Sequence, residues 1–208
     1  MSVSTSLARH TVRQLIELGV EDVVLSPGSR NAPLSIALNQ AAEKGLIDLH
    51  VRIDERGAAF FALGIAKASG KYVPVVCTSG TAVANYLPAV LEAHHSDINL
   101  LVLTADRPAR LRKTGSNQTT DQENIFSSFV RYSIDTAAPI DLGNLLDRSG
   151  PVHINLQFDE PLLPEDSNDW LSGIHPVAKP TATKVPGEID VRTKRNVVIV
   201  GQIGRAHV

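Results

Sequence analysis

An α/β fold, a parallel sheet with helices on both faces, is predicted by three observations. Short apolar runs of strand length recur at residues 22–26, 72–78 and 99–104, as expected of strands buried in a parallel sheet. Two of them lead at once into glycine-containing turns, Pro27-Gly28-Ser29-Arg30-Asn31 and Ser79-Gly80-Thr81, that open helical patterns. A further alternating strand from Leu49 ends in the adjacent acids Asp54 and Glu55 and runs directly into a small-residue apolar helix. Strand, turn and helix repeated in this way build a parallel sheet.

The 208 residues suffice for one full α/β domain and part of another. A hydrophobic content of 43% with 20% charge is ordinary for a soluble globular protein. With a formal charge of −2, no basic arm and no interleaved aromatic patch, the chain offers nucleic acid no global attraction. The single cysteine, Cys77, sits in an apolar run; it excludes an intrachain disulfide, fits a reducing cytoplasm and is expected to pack in the core. A charged-then-apolar signal pattern is lacking, and no run approaches the roughly 20 apolar residues that cross a bilayer. The expectation is a cytoplasmic protein with no membrane partner.

In chain order, residues 5–18 place Leu7, Val12, Leu15, Ile16 and Leu18 near helical spacing before Gly19. The strand at 22–26 and its Gly28 turn are followed by a helix over 33–44. Backbone N–H groups, the Ser29 hydroxyl and the Arg30 guanidinium thus meet at one helix N-terminus, a ready-made anion site. Gly28 serving only the turn, and Arg30 only a surface pair, explain the same residues equally well.

At the next unit, either acid can simply cap the helix. What raises Glu55 above a cap is that no charge follows Arg56 until Lys67, while Gly and Ala positions admit another backbone or a flat ligand. A glutamic acid in so dry a setting can keep its proton. The strand at 72–78 then opens a helix running to Val90, with Ser79, Thr81 and Asn85 suited either to a small ligand or to capping. After the strand at 99–104, Pro108 leaves Arg107 at the strand's carboxyl end. Residues 110–121 are polar and aperiodic, a loop over the same crevice.

Five Lys/Arg against three Asp/Glu between residues 101 and 131 favour an acidic small molecule, although a solvated loop has the same composition. A last alternating strand spans 152–158. Only a short helix, 141–148, fits between Tyr132 and Gly150, which is tight for a parallel crossover. The boundaries expected are a domain over 1–165, a proline-containing linker over 166–195, and the start of a further α/β domain at 196–208. No metal-ligand cluster is evident, since His94 and His95 lack zinc-site spacing.

The Ser-Pro-Gly-Ser-Arg turn at 26–30, Ile53-Asp54-Glu55-Arg56-Gly57 and its helix, Cys77-Thr78-Ser79-Gly80-Thr81, and Ala105-Asp106-Arg107-Pro108 with Asn117-Gln118 occur in a specific order and spacing. Together they resemble the N-terminal pyrimidine-binding domain of thiamine-diphosphate enzymes, and within these the 2-succinyl-5-enolpyruvyl-6-hydroxy-3-cyclohexene-1-carboxylate synthases of menaquinone biosynthesis. The resemblance covers about residues 1–165. It implies a transferase that decarboxylates 2-oxoglutarate on thiamine diphosphate and joins the product to isochorismate. Glu55 then matches the acid that hydrogen-bonds the cofactor's aminopyrimidine and activates it. For that role burial must raise its pKa against the helix N-terminus, which lowers it.

Ser29, Arg30, Arg107 and Gln118 match the isochorismate-holding positions, with Asn117 beside them as a further substrate-binding candidate, and two guanidiniums suit a dicarboxylate. Ser79, Gly80, Thr81 and Asn85 match the loop near the pyrimidine. The family's diphosphate and Mg²⁺ or Mn²⁺ site, a Gly-Asp-Gly stretch with a downstream Asn, has no counterpart in the sequence. The resemblance therefore implies an N-terminal part that does not complete catalysis alone, in an enzyme built as a homodimer or dimer of dimers. The 132–150 connection looks trimmed, and residues 204–208 do not read as native domain sequence. Two alternatives remain at this point. One is another thiamine-diphosphate enzyme, of the acetohydroxyacid-synthase or oxalyl-CoA-decarboxylase kind, which needs no Arg30 and Arg107 pair. The other is a non-catalytic α/β module that holds an anionic metabolite.

Overall fold

Six parallel strands form one sheet in the computed structural model of the chain, which describes residues 2–166 and 168–175. Strands β1 (Asp22–Leu25), β2 (Asp48–Val51), β3 (Val73–Cys77), β4 (Leu100–Asp106), β5 (Ser133–Thr136) and β6 (Val152–Gln157) lie in the order β2-β1-β3-β4-β6-β5. Helices α1 (Val3–Glu17), α2 (Ala32–Glu43), α3 (Glu55–Ser69), α4 (Thr81–Ala84) and α5 (Leu87–His95) cover both faces.

Alternate strand residues point to opposite faces, so the sheet feeds two cores. Val23, Leu25, Val76, Leu101 and Leu103 pack with Leu7, Val12, Leu15 and Ile16 of α1 and with Leu34 and Leu38 of α2. Val24, Val75, Cys77, Leu100 and Val102 pack with the alanines of α3 and with Val90 and Ala93 of α5. Strands β3 and β4 are buried at every position, which is why they read as continuous apolar runs. Edge strand β2 is partly open, and it alternates instead. Leu18, expected on the buried face of α1, is exposed beyond the helix end.

From β1 the chain passes outward to β2, then returns across β1 to β3, so the strand order reverses between β1 and β3. Parallel register brings Leu25 beside both Val51 and Val76, and Cys77 beside Thr104. The turns that follow these strands therefore share one edge. In open parallel sheets, ligands bind outside the strands' carboxyl ends where the order reverses.

Three local expectations change. The helix expected to run from the Gly80 turn to Val90 is two pieces, α4 and α5. Pro88 has no N–H for the carbonyl of Ala84, and its ring crowds that turn. The helix expected over 141–148 is replaced by turns: the Asp141 carboxylate accepts from the Gly143 amide (2.9 Å) and from Asn144 Nδ2 (2.6 Å), an alternative to helical bonding. Leu142 nevertheless enters the core, so the segment still covers that face. Residues 133–136, unassigned in the sequence, form β5 parallel to β6 at the far edge.

Of the stretch read as a linker, Asp166 and residues 168–175 lie against α1 and α2. Arg9 pairs with Asp166 at 2.8 Å, Trp170 Nε1 donates to Gln40 Oε1 at 2.6 Å, and Leu171 and Ile174 join the core. The rest of that stretch and the strand expected from residue 196 lie outside the described residues. Among the described residues no helix is long and apolar enough to cross a membrane.

Candidate ligand site at the carboxyl edge of the sheet

The two glycine turns meet directly. A Cβ on Gly28 would lie 2.5 Å from Thr78 Cβ, so only glycine lets the turn after β1 approach the turn after β3 this closely. Asn31, fully buried, fixes the first turn: its Nδ2 donates to the Ser26 carbonyl at 2.9 Å and its Oδ1 accepts from the Gly28 amide at 2.8 Å. Ser29 is left exposed at the tip. Arg30 reaches across the end of β6, where Nη1 donates to the Phe158 carbonyl at 3.0 Å and lies 3.5 Å from the exposed Glu160 carboxylate. Its Nε is buried without a partner. A shallow cleft lined by Ser29, Ala32, Glu160, Pro161, Leu162 and Leu163 adjoins this turn.

The second turn is bound to the loop after β4. Arg107 Nη1 donates to Ser79 Oγ at 2.8 Å and to the Gln118 carbonyl at 3.0 Å. Ser79 Oγ donates to that carbonyl at 3.0 Å, and Gln118 Nε2 donates back to the Ser79 carbonyl at 2.9 Å. Gly80 adopts φ +82° with a would-be Cβ 2.8 Å from Gln118 Cγ, so both conformation and space demand glycine there. Burial, then the positive charge of nearby Arg30, pulls the Arg107 pKa below the ordinary guanidinium range, against the opposing effect of Asp106. Of the other cations between 101 and 131, Arg110, Arg112 and Arg131 are ion-paired, which narrows the positive tilt seen in the sequence to Arg107 and Lys113.

At the third strand end, Asp54 is the helix cap: its Oδ1 accepts from the Gly57 amide at 2.6 Å. Glu55, the first residue of α3, is released from capping, and its carboxylate makes no hydrogen bond among the described residues. It is half-buried. The dryness expected around it is only partly supplied, because Val51, Ile53 and Phe60 beside it are exposed, Ile53 by 78%. On its inner side lie two buried groups, the Cys77 thiol and the Tyr86 hydroxyl. Burial pushes both up, and the negative charge of Glu55 adds to the shift. Tyr86 Oη is buried beside Ser26 Oγ and the Cys77 thiol and interacts with both.

Ser79, Gly80, Arg107 and Gln118 are thus brought into one bonded cluster, with Arg30 within electrostatic reach. Asn117 is exposed, its carbonyl taken by Thr119 at 3.3 Å. Thr81 and Asn85 are exposed at the two ends of α4, and neither caps it with a side chain.

Sequence reasoning missed the supports beneath: Asn31, Gln122 and Asn155, all buried. Asn155 fell on the polar positions of a strand read as alternating, which pointed to solvent, whereas β6 is buried from Val152 to Leu156. Gln122 and Asn31 had no signal beyond their positions next to the motifs. His153, also buried, contacts Thr104 Oγ1 at 2.8 Å, and burial pushes its pKa down to about 3, so it is neutral. Among the described residues no group of three His, Cys, Asp or Glu is placed to hold a metal ion.

Residues 5–125 match the family described as thiamine pyrophosphate enzyme, N-terminal TPP binding domain. Three relatives each carry the name 2-succinyl-5-enolpyruvyl-6-hydroxy-3-cyclohexene-1-carboxylate synthase. The protein of Nocardioides sp. (strain ATCC BAA-499 / JS614) is 49% identical over 200 residues, covering 95% of this chain and 36% of the relative. That of Saccharopolyspora erythraea is 45% identical over 231 positions, covering 98% and 41%. That of Kineococcus radiotolerans is 50% identical over 184 residues, covering 79% and 33%. The chain therefore spans about a third to two fifths of the length of these relatives.

Proposed function

Because the chain belongs to the thiamine pyrophosphate enzymes through their N-terminal TPP binding domain, we propose that it supplies the pyrimidine-binding and isochorismate-binding half of a 2-succinyl-5-enolpyruvyl-6-hydroxy-3-cyclohexene-1-carboxylate synthase. The observation that carries this reading is the bonded cluster of Arg107, Ser79 and Gln118, with Arg30 within electrostatic reach, on the same sheet edge as a Glu55 carboxylate without a hydrogen-bond partner. In this proposal thiamine diphosphate, when bound, supplies the carbon nucleophile through which 2-oxoglutarate loses CO₂ and is joined to isochorismate.

The donor set suits the pyrimidine end of that cofactor. Glu55 offers a half-buried carboxyl with no internal partner, and the glycine and alanine positions that follow it on α3 leave room for a flat ring. Its part is to share a proton with the ring nitrogen, which needs a drier setting than this chain alone gives. A second copy of the chain covering exposed Val51, Ile53 and Phe60 supplies that dryness, in a homodimer or dimer of dimers. Arg30 and Arg107 hold the isochorismate carboxylates, assisted by Ser29, Asn117 and Gln118. Ser79, Gly80, Thr81 and Asn85 border the pyrimidine. The diphosphate and its Mg²⁺ or Mn²⁺ are held outside the described residues, and the assembled enzyme works in the cytoplasm.

Isothermal titration of the chain with isochorismate tests the anion site. Binding that weakens at least tenfold but stays measurable in Arg107→Ala supports it; equal heats from parent and variant, or none from the parent, overturn it. In an assembled enzyme Glu55→Gln is expected to slow exchange of the cofactor's C2 proton by orders of magnitude. An unchanged rate would remove Glu55 from catalysis.

A further inference from the structure

The loop over residues 107–122 carries Arg107 and Gln118, yet it has no regular secondary structure except one short 3₁₀ turn at Ala109–Leu111. Such a segment samples many conformations unless side chains hold it. What holds this one is a hydrogen-bonded circuit centred on a buried residue of the neighbouring strand. Asn155, in β6, is fully buried and uses all four of its hydrogen-bonding positions. Its Oδ1 accepts from Thr104 Oγ1 at 2.7 Å and from Gln122 Nε2 at 2.8 Å. Its Nδ2 donates to Asp106 Oδ2 at 3.0 Å and to Asp135 Oδ1 at 2.8 Å.

Three of those bonds lead into the loop, through Asp106 and Gln122 at its ends and through Asp135 to Arg112 within it. Asp106 Oδ1 accepts from the Arg107 backbone amide at 2.7 Å, which sets the direction in which the chain leaves β4. Asp106 and Asp135 together bind the Arg112 guanidinium at 2.9 and 2.7 Å. At the far end, Gln122 Oε1 accepts from the Gly80 amide at 2.9 Å and Nε2 also donates to the Ala105 carbonyl at 3.2 Å. The circuit closes through Arg107 Nη1 on Ser79 Oγ, one residue from Gly80. Gln118 stands inside it at φ +54°, a costly conformation for a non-glycine residue that persists only where its surroundings impose it.

We propose that Asn155, acting with Gln122, is a positioning residue: it ties the turn after β3 to both ends of the 107–122 loop and so sets where the Arg107 guanidinium and the Gln118 side chain point. A fully satisfied amide is the suitable group, because it donates to two carboxylates while accepting from a hydroxyl and an amide. Aspartate has no proton for Asp106 or Asp135 when ionised, and an apolar side chain leaves all four partners short. The inference rests on the reading of this loop as part of an anion-binding site only for its ligand arm, and not for its structural arm.

Both arms use the 208-residue chain. In Asn155→Leu, amide hydrogen exchange across 107–122 is expected to accelerate at least tenfold while α1 and α2 keep the parent's protection. Gln122→Met breaks the same circuit from the loop's own end and is read identically should Asn155→Leu not fold. Unchanged exchange across the loop in a folded variant overturns the proposal. In the ligand arm, either variant is expected to weaken isochorismate binding at least tenfold in the parent background and to add nothing in an Arg107→Ala background. A full additional loss there means that Asn155 does not act through Arg107. If the parent binds no isochorismate, the proposed function fails and the exchange result alone decides the positioning role.

Discussion

Gly28→Ala isolates the contact on which the crevice depends. Gly28 lies outside the left-handed region, so alanine costs nothing in backbone conformation and any effect is steric. The new methyl would lie 2.5, 2.6 and 2.8 Å from Thr78 Cβ, Cγ2 and Oγ1. Carbon atoms in contact sit about 3.5–4.0 Å apart, so the two turns must separate by about 1 Å. Thr78 is β-branched at the end of β3 and cannot swing its Cβ aside. Overpacking of this kind costs about 1–3 kcal/mol, which corresponds to a fall in Tm of about 2–12 °C for a domain of this size.

The same separation moves Ser29 and Arg30 away from Ser79 and Arg107, and a displacement of about 1 Å in a binding constellation can cost about a hundredfold in function. Thermal unfolding followed by circular dichroism measures the first effect, and isochorismate titration the second. The double variant Gly28→Ala with Thr78→Gly removes all three clashing atoms and is expected to show a coupling energy of about 1 kcal/mol or more. Stability of Gly28→Ala within about 0.5 kcal/mol of the parent, or strictly additive variants, would refute the steric reasoning.

Three further outcomes follow from the geometry. Asp54→Ala removes the cap on α3 and is expected to cost about 1 kcal/mol, with faster exchange at the Gly57 amide; Asp54→Asn, which retains an acceptor, should recover most of it in the same measurements. His153 is neutral and buried, with a folded pKa of about 3 against an unfolded value near 6.5. As pH falls below about 6.5 the unfolded chain takes up a proton that the folded chain refuses, so stability is expected to drop by about 2 kcal/mol between pH 7 and pH 5, read from urea midpoints. A flat profile over that range contradicts the assigned burial. Cys77 is fully buried with its thiol pushed up, chiefly by burial. A thiol reagent is expected to leave it untouched in the native state and to label it fully in guanidinium, whereas rapid native labelling would show that the β3 end opens readily.

The sequence by itself determined the sheet's interior and the chemistry at its edge. Runs such as Val73 to Cys77 and Leu100 to Thr104 are legible because strands buried on both faces must be apolar throughout, and no tertiary knowledge is needed to see it. Glycine at positions 28 and 80, followed by helix starts, likewise announced turns where backbone meets backbone.

What only the tertiary structure decided was which of these turns meet, and what holds them. Strand order is a non-local choice, and the reversal between β1 and β3 puts Gly28 against Thr78 across about fifty residues of chain. The helix expected over 141–148 failed because a single aspartate captured its own neighbouring amides, a competition that periodicity does not register. Asn155 and Gln122, which lie 33 residues apart, share one hydrogen bond, and no local pattern marks it. Apolar burial is additive and leaves its imprint residue by residue along the chain. A buried polar circuit is stable only when every partner is in place, so its members become recognisable once folding has brought them together.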